Sequence, residues 1–355
     1  MTENSLPKPS SRFDWISPKR LNTLGMLGMN CRNVRYISRY NERRLYPLVD
    51  NKLETKLLAA KHNVAVPKLI HVVKTPQEVQ SAYEKLKDLD QFVVKPANGS
   101  GGKGILVIVG RDSEGMLTRS SGETVSWEEI RRHMSNVVSG LFSLGGRTDQ
   151  AIVEDLVQTD PVFEDVSFKG VPDIRLILFH GYPVMGMLRL ATQSSDGKAN
   201  LHQGAIGVGL DIHTGDSIAA VQHNQLIVEH PDTGNRLDEL QVPFWRQLLL
   251  LASRCYDMTG LGYLGADIVL DRDLGPLLLE LNARPGLTIQ VTNQAGLKPR
   301  LENIEAMDSH HTSVEERVEY AINTFAHRST RTQPDLFSGD LPDDFPDKLP
   351  DESLT

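Results

Sequence analysis

Cysteine is nearly absent from this chain. Cys31 and Cys255 are the only two in 355 residues, and they form no C-x-x-C pair. That excludes cysteine-ligated zinc, iron–sulfur sites and a disulfide scaffold, and it suits a reducing compartment. Long apolar runs are lacking as well. Stretches such as residues 248–252 are far shorter than the ~20 apolar residues a membrane-spanning helix needs. Residues 1–11 are polar and contain proline, without the apolar stretch of a signal peptide. The expectation is a cytoplasmic protein with no membrane insertion. Positive charge is not in excess either: the net charge is −8, which argues against nucleic acid as a partner. What remains is ordinary. Hydrophobic residues make up 39% and charged residues 24%, as in a soluble globular protein, and the length suits about two domains with a large core.

The charge is unevenly spread. Residues 1–51 carry a net +5 and residues 331–355 a net −5, which leaves −8 for the body between them. Residues 329–355 form an acidic, proline-rich tail that cannot build a core and is expected to be disordered. Its Leu and Phe side chains would offer a short docking motif to a protein partner. Residues 1–50 read as a basic arm. Arg32, Arg35, Arg39 and Arg43 recur at three- and four-residue steps, along one face if the segment is helical. They form either a solvated face or a surface for an anionic substrate or partner. Asn30, Asn33 and Asn41 work against the helix.

From residue 51 onward the chain is well punctuated. Asn51 and Glu54 form a capping box for a helix to about His62 that buries Leu53, Leu57 and Leu58. Residues 64–73 read as extended. Thr75 and Glu78, with Pro76 at the first helical position, open a helix with Val79, Ala82, Tyr83 and Leu86 on one face. Residues 91–95 and 105–109 are predicted strands around a glycine cluster. Ser126 and Glu129 open a helix that turns Ile130, Met134, Val137, Val138 and Leu141 inward. Strands are expected at 151–157, 174–179 and 184–190, a helix at 243–258, and paired strands at 266–270 and 276–281. Ser313 and Glu316 start a last helix. Helices and strands mix without strict alternation, which favours an α+β class.

The glycine cluster Gly99-Ser100-Gly101-Gly102-Lys103-Gly104 carries the first chemical signal. A dinucleotide-binding loop would lead into a helix, but a strand follows here. A Walker loop needs Ser or Thr after its lysine, where Gly104 stands. A strand–glycine loop–strand unit is instead a flap whose N–H groups can fold over phosphates. Protein kinases place their lysine after such a flap, whereas Lys95 precedes this one and neither H-R-D nor D-F-G is found. The second signal is Asp267 with Glu280 and Asn282. Glu280 and Asn282 share one face of a predicted strand, and Asp267 lies on the adjoining one. Three hard oxygen donors on one sheet face suit Mg²⁺, and acids within an apolar run call for a cation. Lys52, in the first turn of a predicted helix, opposes the helix dipole, which a nearby phosphate would rationalise.

Taken in order, Asp50-Asn51-Lys52, Phe92-Val93-Val94-Lys95-Pro96 with the glycine loop, Ile152-Val153-Glu154-Asp155-Leu156 and Leu279-Glu280-Leu281-Asn282-Ala283-Arg284-Pro285-Gly286 resemble the ATP-grasp superfamily across about residues 48–300. Asp173-Ile174-Arg175, Arg189 and Asn200-Leu201-His202-Gln203-Gly204 are most similar to the RimK-type α-L-glutamate ligases and to the sugar-transfer-associated ATP-grasps. The resemblance implies two α+β subdomains sandwiching ATP, residues 51–160 with the flap and residues 161–328 with the metal site. It implies that Lys52 and Lys95 contact the α- and β-phosphates, with Lys95 also near adenine, and that Gly99, Ser100, Gly101, Gly102, Lys103 and Gly104 close over the triphosphate. Glu154, Asp155 and Leu156 would read adenine, and Asp173 the ribose. Asp267, Glu280 and Asn282 would hold two Mg²⁺, with Mn²⁺ as an alternative. Arg189 and Asn200 would steady the transferred phosphoryl group, with Arg175 and Arg284 at the substrate.

The activity implied is an ATP-dependent carboxylate–amine ligase working through an acyl phosphate. It would add glutamate or another amino acid to a peptide or a small amine. A kinase acting on a hydroxyl, or a nucleotide-binding module without turnover, would use the same nucleotide site. Two departures stand out. Only about fifty residues precede Lys52, where the superfamily usually has about a hundred, so the N-terminal domain is reduced. Gly265 stands where D-alanine-ligase-like members carry an arginine, which argues against that activity.

Overall fold

The computed structural model describes residues 17–99, 101–143 and 145–327. The acidic tail, residues 1–16 and Ser100 lie outside the described residues. No helix among those described is long and apolar enough to cross a membrane.

Two antiparallel sheets organise the chain. The first contains β1 (Leu69–Val73), β2 (Phe92–Pro96), β3 (Leu106–Arg111), β4 (Leu117–Arg119), β5 (Thr124–Val125) and β6 (Ala151–Glu154) in the order β1-β6-β2-β3-β4-β5. The second contains β7 (Asp173–Phe179), β8 (Tyr182–Leu190), β9 (Ile206–Leu210), β10 (Ser217–Gln222), β11 (Gln225–Ile227), β12 (Tyr263–Asp271) and β13 (Gly275–Asn282) in the order β11-β10-β9-β8-β7-β12-β13. The expected α+β class is the observed one.

Capping fixes where the helices begin. Asn51 accepts from the N–H groups of Leu53 and Glu54 and starts the Lys52–Lys61 helix. Thr75 does the same for Pro76–Leu86. Full capping boxes at Ser126 and Ser313 open Trp127–Val138 and Val314–Phe325. Three side chains depart from the expected inward set. Leu57 is 49% exposed, Tyr83 42% and Leu141 66%. Leu141 lies past the end of its helix, where Gly140 at φ +87° turns the chain outward.

Each sheet has its own core. Val94, Ile108, Ile130, Met134 and Val153 lie in the core of the first, where the Pro76–Leu86 and Trp127–Val138 helices pack together. The second sheet packs on the Trp245–Thr259 helix through Leu248, Leu249 and Ala252.

Residues 17–50 are built into that second core rather than lying apart from it as an arm. Leu27, Tyr36, Ile37 and Val49 are buried with β7 and β12. The arginine row does lie on helical turns from Met29 to Tyr40, with a π-helical stretch at Arg32–Ile37. Arg43 falls beyond the break at Asn41. Three of the four arginines have partners within the protein. Arg35 pairs with Glu302 and Glu305, both at 2.9 Å, and Arg39 with Glu305 at 3.5 Å. Arg32 Nη1 donates to the Pro285 carbonyl at 2.7 Å.

Candidate functional site

The strand register of the second sheet explains why its charged residues meet. Asp173 pairs with Arg189 across β7 and β8, Arg175 with Asp267 across β7 and β12, and Asp267 with Glu280 across β12 and β13. Directly opposed residues of an antiparallel sheet share a face. Asn282, two residues beyond Glu280, joins that face. Strand register therefore brings six predicted site residues onto one surface.

Asp267 lies at the centre of this row, 1% exposed. Arg175 donates from Nε to Oδ1 at 2.7 Å and from Nη2 to Oδ2 at 2.5 Å, while Arg189 Nη2 reaches Oδ2 at 2.8 Å. Arg189 Nε also donates to Asp173 Oδ1. Burial drives the Asp173 carboxyl above the usual carboxylate range. Burial pushes Asp267 the same way, but Arg175 and Arg189 override it and hold that carboxyl well below the range.

The nucleotide side is organised around Glu154. Its carboxylate, 3% exposed, is enclosed between the Lys95 ammonium and that of Lys56, the latter 2.8 Å away. Both oxygens of this carboxylate, expected at adenine, are ion-paired to buried lysines. Burial would raise the Glu154 carboxyl, but the two lysines hold it low. Burial pushes the Lys56 ammonium down to about 8 against the pull of Glu154. Asp155 and Leu156 continue beyond the end of β6, with the Asp155 N–H donating to the Lys68 carbonyl. Sequence reading missed Lys56. The available signal was its position three residues after the buried Leu53 on the same helix.

A cavity joins the two sheets. It is lined by Lys52, Lys95, Gly99, Gly101, Gly102, Lys103 and Glu280. Lys52 Nζ donates to the Gly99 carbonyl at 2.7 Å and lies 3.5 Å from Glu280. Gly101 and Gly102 have left-handed φ of +64° and +74°, with nothing near the position of a Cβ. Gly104, at φ +75°, is tight: a Cβ would lie 2.5 Å from the Phe142 ring.

Two further predicted residues make contacts of their own. Asn200 Oδ1 accepts from the His202 N–H and caps the Leu201–Gln203 turn. Arg284 is exposed, with its guanidinium over the Tyr46 ring at 5.2 Å. Gly265 explains its own departure from the D-alanine-ligase pattern, since a Cβ there would lie 2.8 Å from Pro285.

The donor set fits divalent cations. Asp267 Oδ1 receives one hydrogen bond and so keeps one of its roughly two acceptor positions, Glu280 lines the cavity, and Asn282 shares their face. The third donor is an amide: among the described residues no three His, Cys, Asp or Glu side chains gather as a metal site.

Two antiparallel α+β units with a glycine flap, Lys95 on one sheet with Lys52 on the neighbouring helix, and an Asp–Glu–Asn row on the other sheet make this an ATP-grasp fold. The model of the sugar-transfer associated ATP-grasp family matches residues 31–306, and the chain belongs to that family. A comparison with curated proteins finds no match. Among solved structures, the ATP-grasp ligase PsnB with its minimal precursor aligns at 13% identity over 75% of this chain and 62% of that one, with a TM-score of 0.41. The D-cycloserine synthetase DcsG aligns at 15% over 78% and 73%, TM-score 0.45. A RimK domain ATP-grasp protein from Sphaerobacter thermophilus aligns at 11% over 74% and 69%, TM-score 0.38. The chain thus spans less than two thirds of the length of PsnB.

Proposed function

We propose that this protein is an ATP-dependent carboxylate–amine ligase. In this reading the γ-phosphoryl group of ATP passes to a carboxylate oxygen and ADP leaves. An amine nitrogen then attacks the acyl carbon, and phosphate departs with the C–O bond electrons as the amine loses its proton. The substrates would be an amino acid, glutamate among the candidates, and a peptide or small amine.

The observation that carries this reading is the cavity where the flap, Lys52 and Lys95 meet Glu280 of the charged row. Lys52 and Lys95 would neutralise phosphate oxygens, and the N–H groups of Gly101 and Gly102 would cover them. Bound Mg²⁺, held by Asp267, Glu280 and Asn282, would supply charge neutralisation at the phosphoryl group. Arg189, fixed between Asp173 and Asp267, is preorganised to stabilise developing negative charge. Glu154 would act by holding Lys95 in place. Asp173 Oδ2, with no hydrogen-bond partner among the described residues, is left for a ribose hydroxyl. Flap closure would exclude water and protect an acyl phosphate from hydrolysis.

Hydroxylamine trapping with ATP, Mg²⁺ and a panel of amino acids and peptides tests the proposal. A hydroxamate formed with equal amounts of ADP and free phosphate is the expected result. No ADP release above background with any carboxylate would overturn it, and so would phosphate retained on a hydroxyl product.

A further inference from the structure

A second cavity, of about 320 Å³, opens on the second sheet. That is within the ~300–1,000 Å³ range of small-molecule sites. Its floor is Leu201, Ala205 and Val221, and its rim carries His202, His223, Asn224 and Thr288. The register ties it to the charged row. Arg189 pairs with Gly207 across β8 and β9, and Gly207 pairs with Val221 across β9 and β10. The three share one sheet face, so Val221 is two strand spacings, about 10 Å, from Arg189. Gly207 contributes no side chain between them; Leu201, Thr292 and Met187 pack over it, so the route from the cavity to Arg189 runs past these three side chains.

The rim is presented by fixed turns. His223 and Asn224 occupy the two left-handed positions, φ +49° and +63°, of the tight hairpin closed by Gln222 and Gln225. His202 is held by the Asn200 cap. Thr288 directly follows the Arg284-Pro285-Gly286-Leu287 loop. The chemistry of the lining is selective. It contains no Lys, Arg, Asp or Glu, so a charged group placed here would go unpaired. Two imidazoles, an amide and a hydroxyl can each donate or accept, above an apolar floor.

We propose that this cavity binds the non-reacting body of a substrate, and that this body is a small neutral group rich in hydroxyls or amides. Its reactive end points along the sheet to Arg189. The inference rests on the ligase reading for that last step only; binding can be measured without turnover.

The test uses the full chain with two probe sets in ligand-observed NMR: N-acetylglucosamine, glycerol and N-acetyl-asparagine amide against glutamate, lysine and O-phosphoserine. The first set should bind more tightly. The exposed-rim variant His202→Ala/His223→Ala should weaken it by about tenfold while calorimetric affinity for AMPPNP with Mg²⁺ changes by less than about twofold, as expected for two lost hydrogen bonds. Val221→Trp, which fills the floor, should abolish it. Charged probes binding as well as the neutral ones, or neutral binding indifferent to the rim variant, would overturn the proposal. Neutral binding at the rim without ADP release from any carboxylate–amine pair would leave the cavity assignment standing and remove the ligase reading. ADP release with charged pairs, unaffected by the rim variant, would do the reverse.

Discussion

Asn41 and Tyr263 form a two-way amide pair across 222 residues of sequence. Asn41 Nδ2 donates to the Tyr263 carbonyl at 2.7 Å, and its Oδ1 accepts from the Tyr263 N–H at 2.8 Å. Asn41 is 3% exposed and completes the edge at the start of β12, the strand that carries Asp267. Asn41→Leu leaves a buried N–H and carbonyl unpaired, at about 1–3 kcal/mol each. Urea denaturation should show a loss of at least about 2 kcal/mol, and Asn41→Asp one at least as large, because a buried carboxylate oxygen would face the Tyr263 and Ala283 carbonyls.

Asp267 and Glu280 should respond differently to removal of their charge. Glu280 is partly exposed, with one cation 3.5 Å away, so Glu280→Gln should fold normally and lose turnover by several orders of magnitude. Asp267→Asn removes the anion between two buried guanidinium groups, and breaking such a pair costs about 3–5 kcal/mol. Its expected signature is a lowered Tm together with lost activity. Near-normal turnover of Glu280→Gln at saturating Mg²⁺ would dismiss the metal assignment.

The flap glycines should rank by their surroundings. Gly104→Ala meets both a left-handed backbone and the Phe142 ring, whereas Gly101→Ala meets the backbone alone. Calorimetry should find ATP affinity reduced more by Gly104→Ala. Equal effects would mean that Phe142 yields freely.

His180 gives a pH dependence. Burial, with His310 stacked 4.6 Å away, lowers its pKa from 6.5 to about 4. Tyr40, Phe179 and Tyr256 face the same ring, and Glu305 pulls weakly the other way. Between those two values the unfolded chain binds more protons, so stability falls as pH drops through that window. His180→Asn keeps a residue tolerant of φ +49° and should flatten the decline between pH 6.5 and 4, measured by Tm.

Arg35 and Arg39 face Glu302 and Glu305 at the surface, where such pairs contribute about 0–1 kcal/mol. Arg35→Gln/Arg39→Gln should cost little stability, and less still at high salt. Deleting residues 1–50 should instead abolish folding, because it removes Tyr36 and Ile37 from the main core. A folded, ATP-binding truncation would contradict that packing.

The sequence made local features legible. Four N-caps fall where Asn51, Thr75, Ser126 and Ser313 stand, because a cap is decided within four residues. The Asp267, Glu280 and Asn282 face was readable from strand periodicity. The bonds of Asp267 to Arg175 and Arg189 were not, because they depend on a strand register that spacing alone does not give. The same holds for Lys56, whose partner Glu154 is 98 residues away at the end of β6. β4, β5 and β11 were missed, since strands of two and three residues show too few alternations to register, and the longer β9 and β10 were missed with them. Residues 17–50 looked like an exposed arm because their apolar anchors Leu27, Tyr36, Ile37 and Val49 are diluted among arginines and asparagines.

The stitching of the first described residues to the last third of the chain also sets a timetable. Leu27 bonds Gln290, Arg32 bonds Pro285 and Asn41 bonds Tyr263, over separations of 263, 253 and 222 residues. At a ribosome's pace of about 5–20 residues per second, the opening helices wait roughly ten to fifty seconds for their partners to be made. The first sheet, whose contacts lie within residues 69–154, can fold during that wait. The apolar face of residues 27–49 meanwhile has no partner, which makes the nascent opening segment the part of this protein most in need of a chaperone.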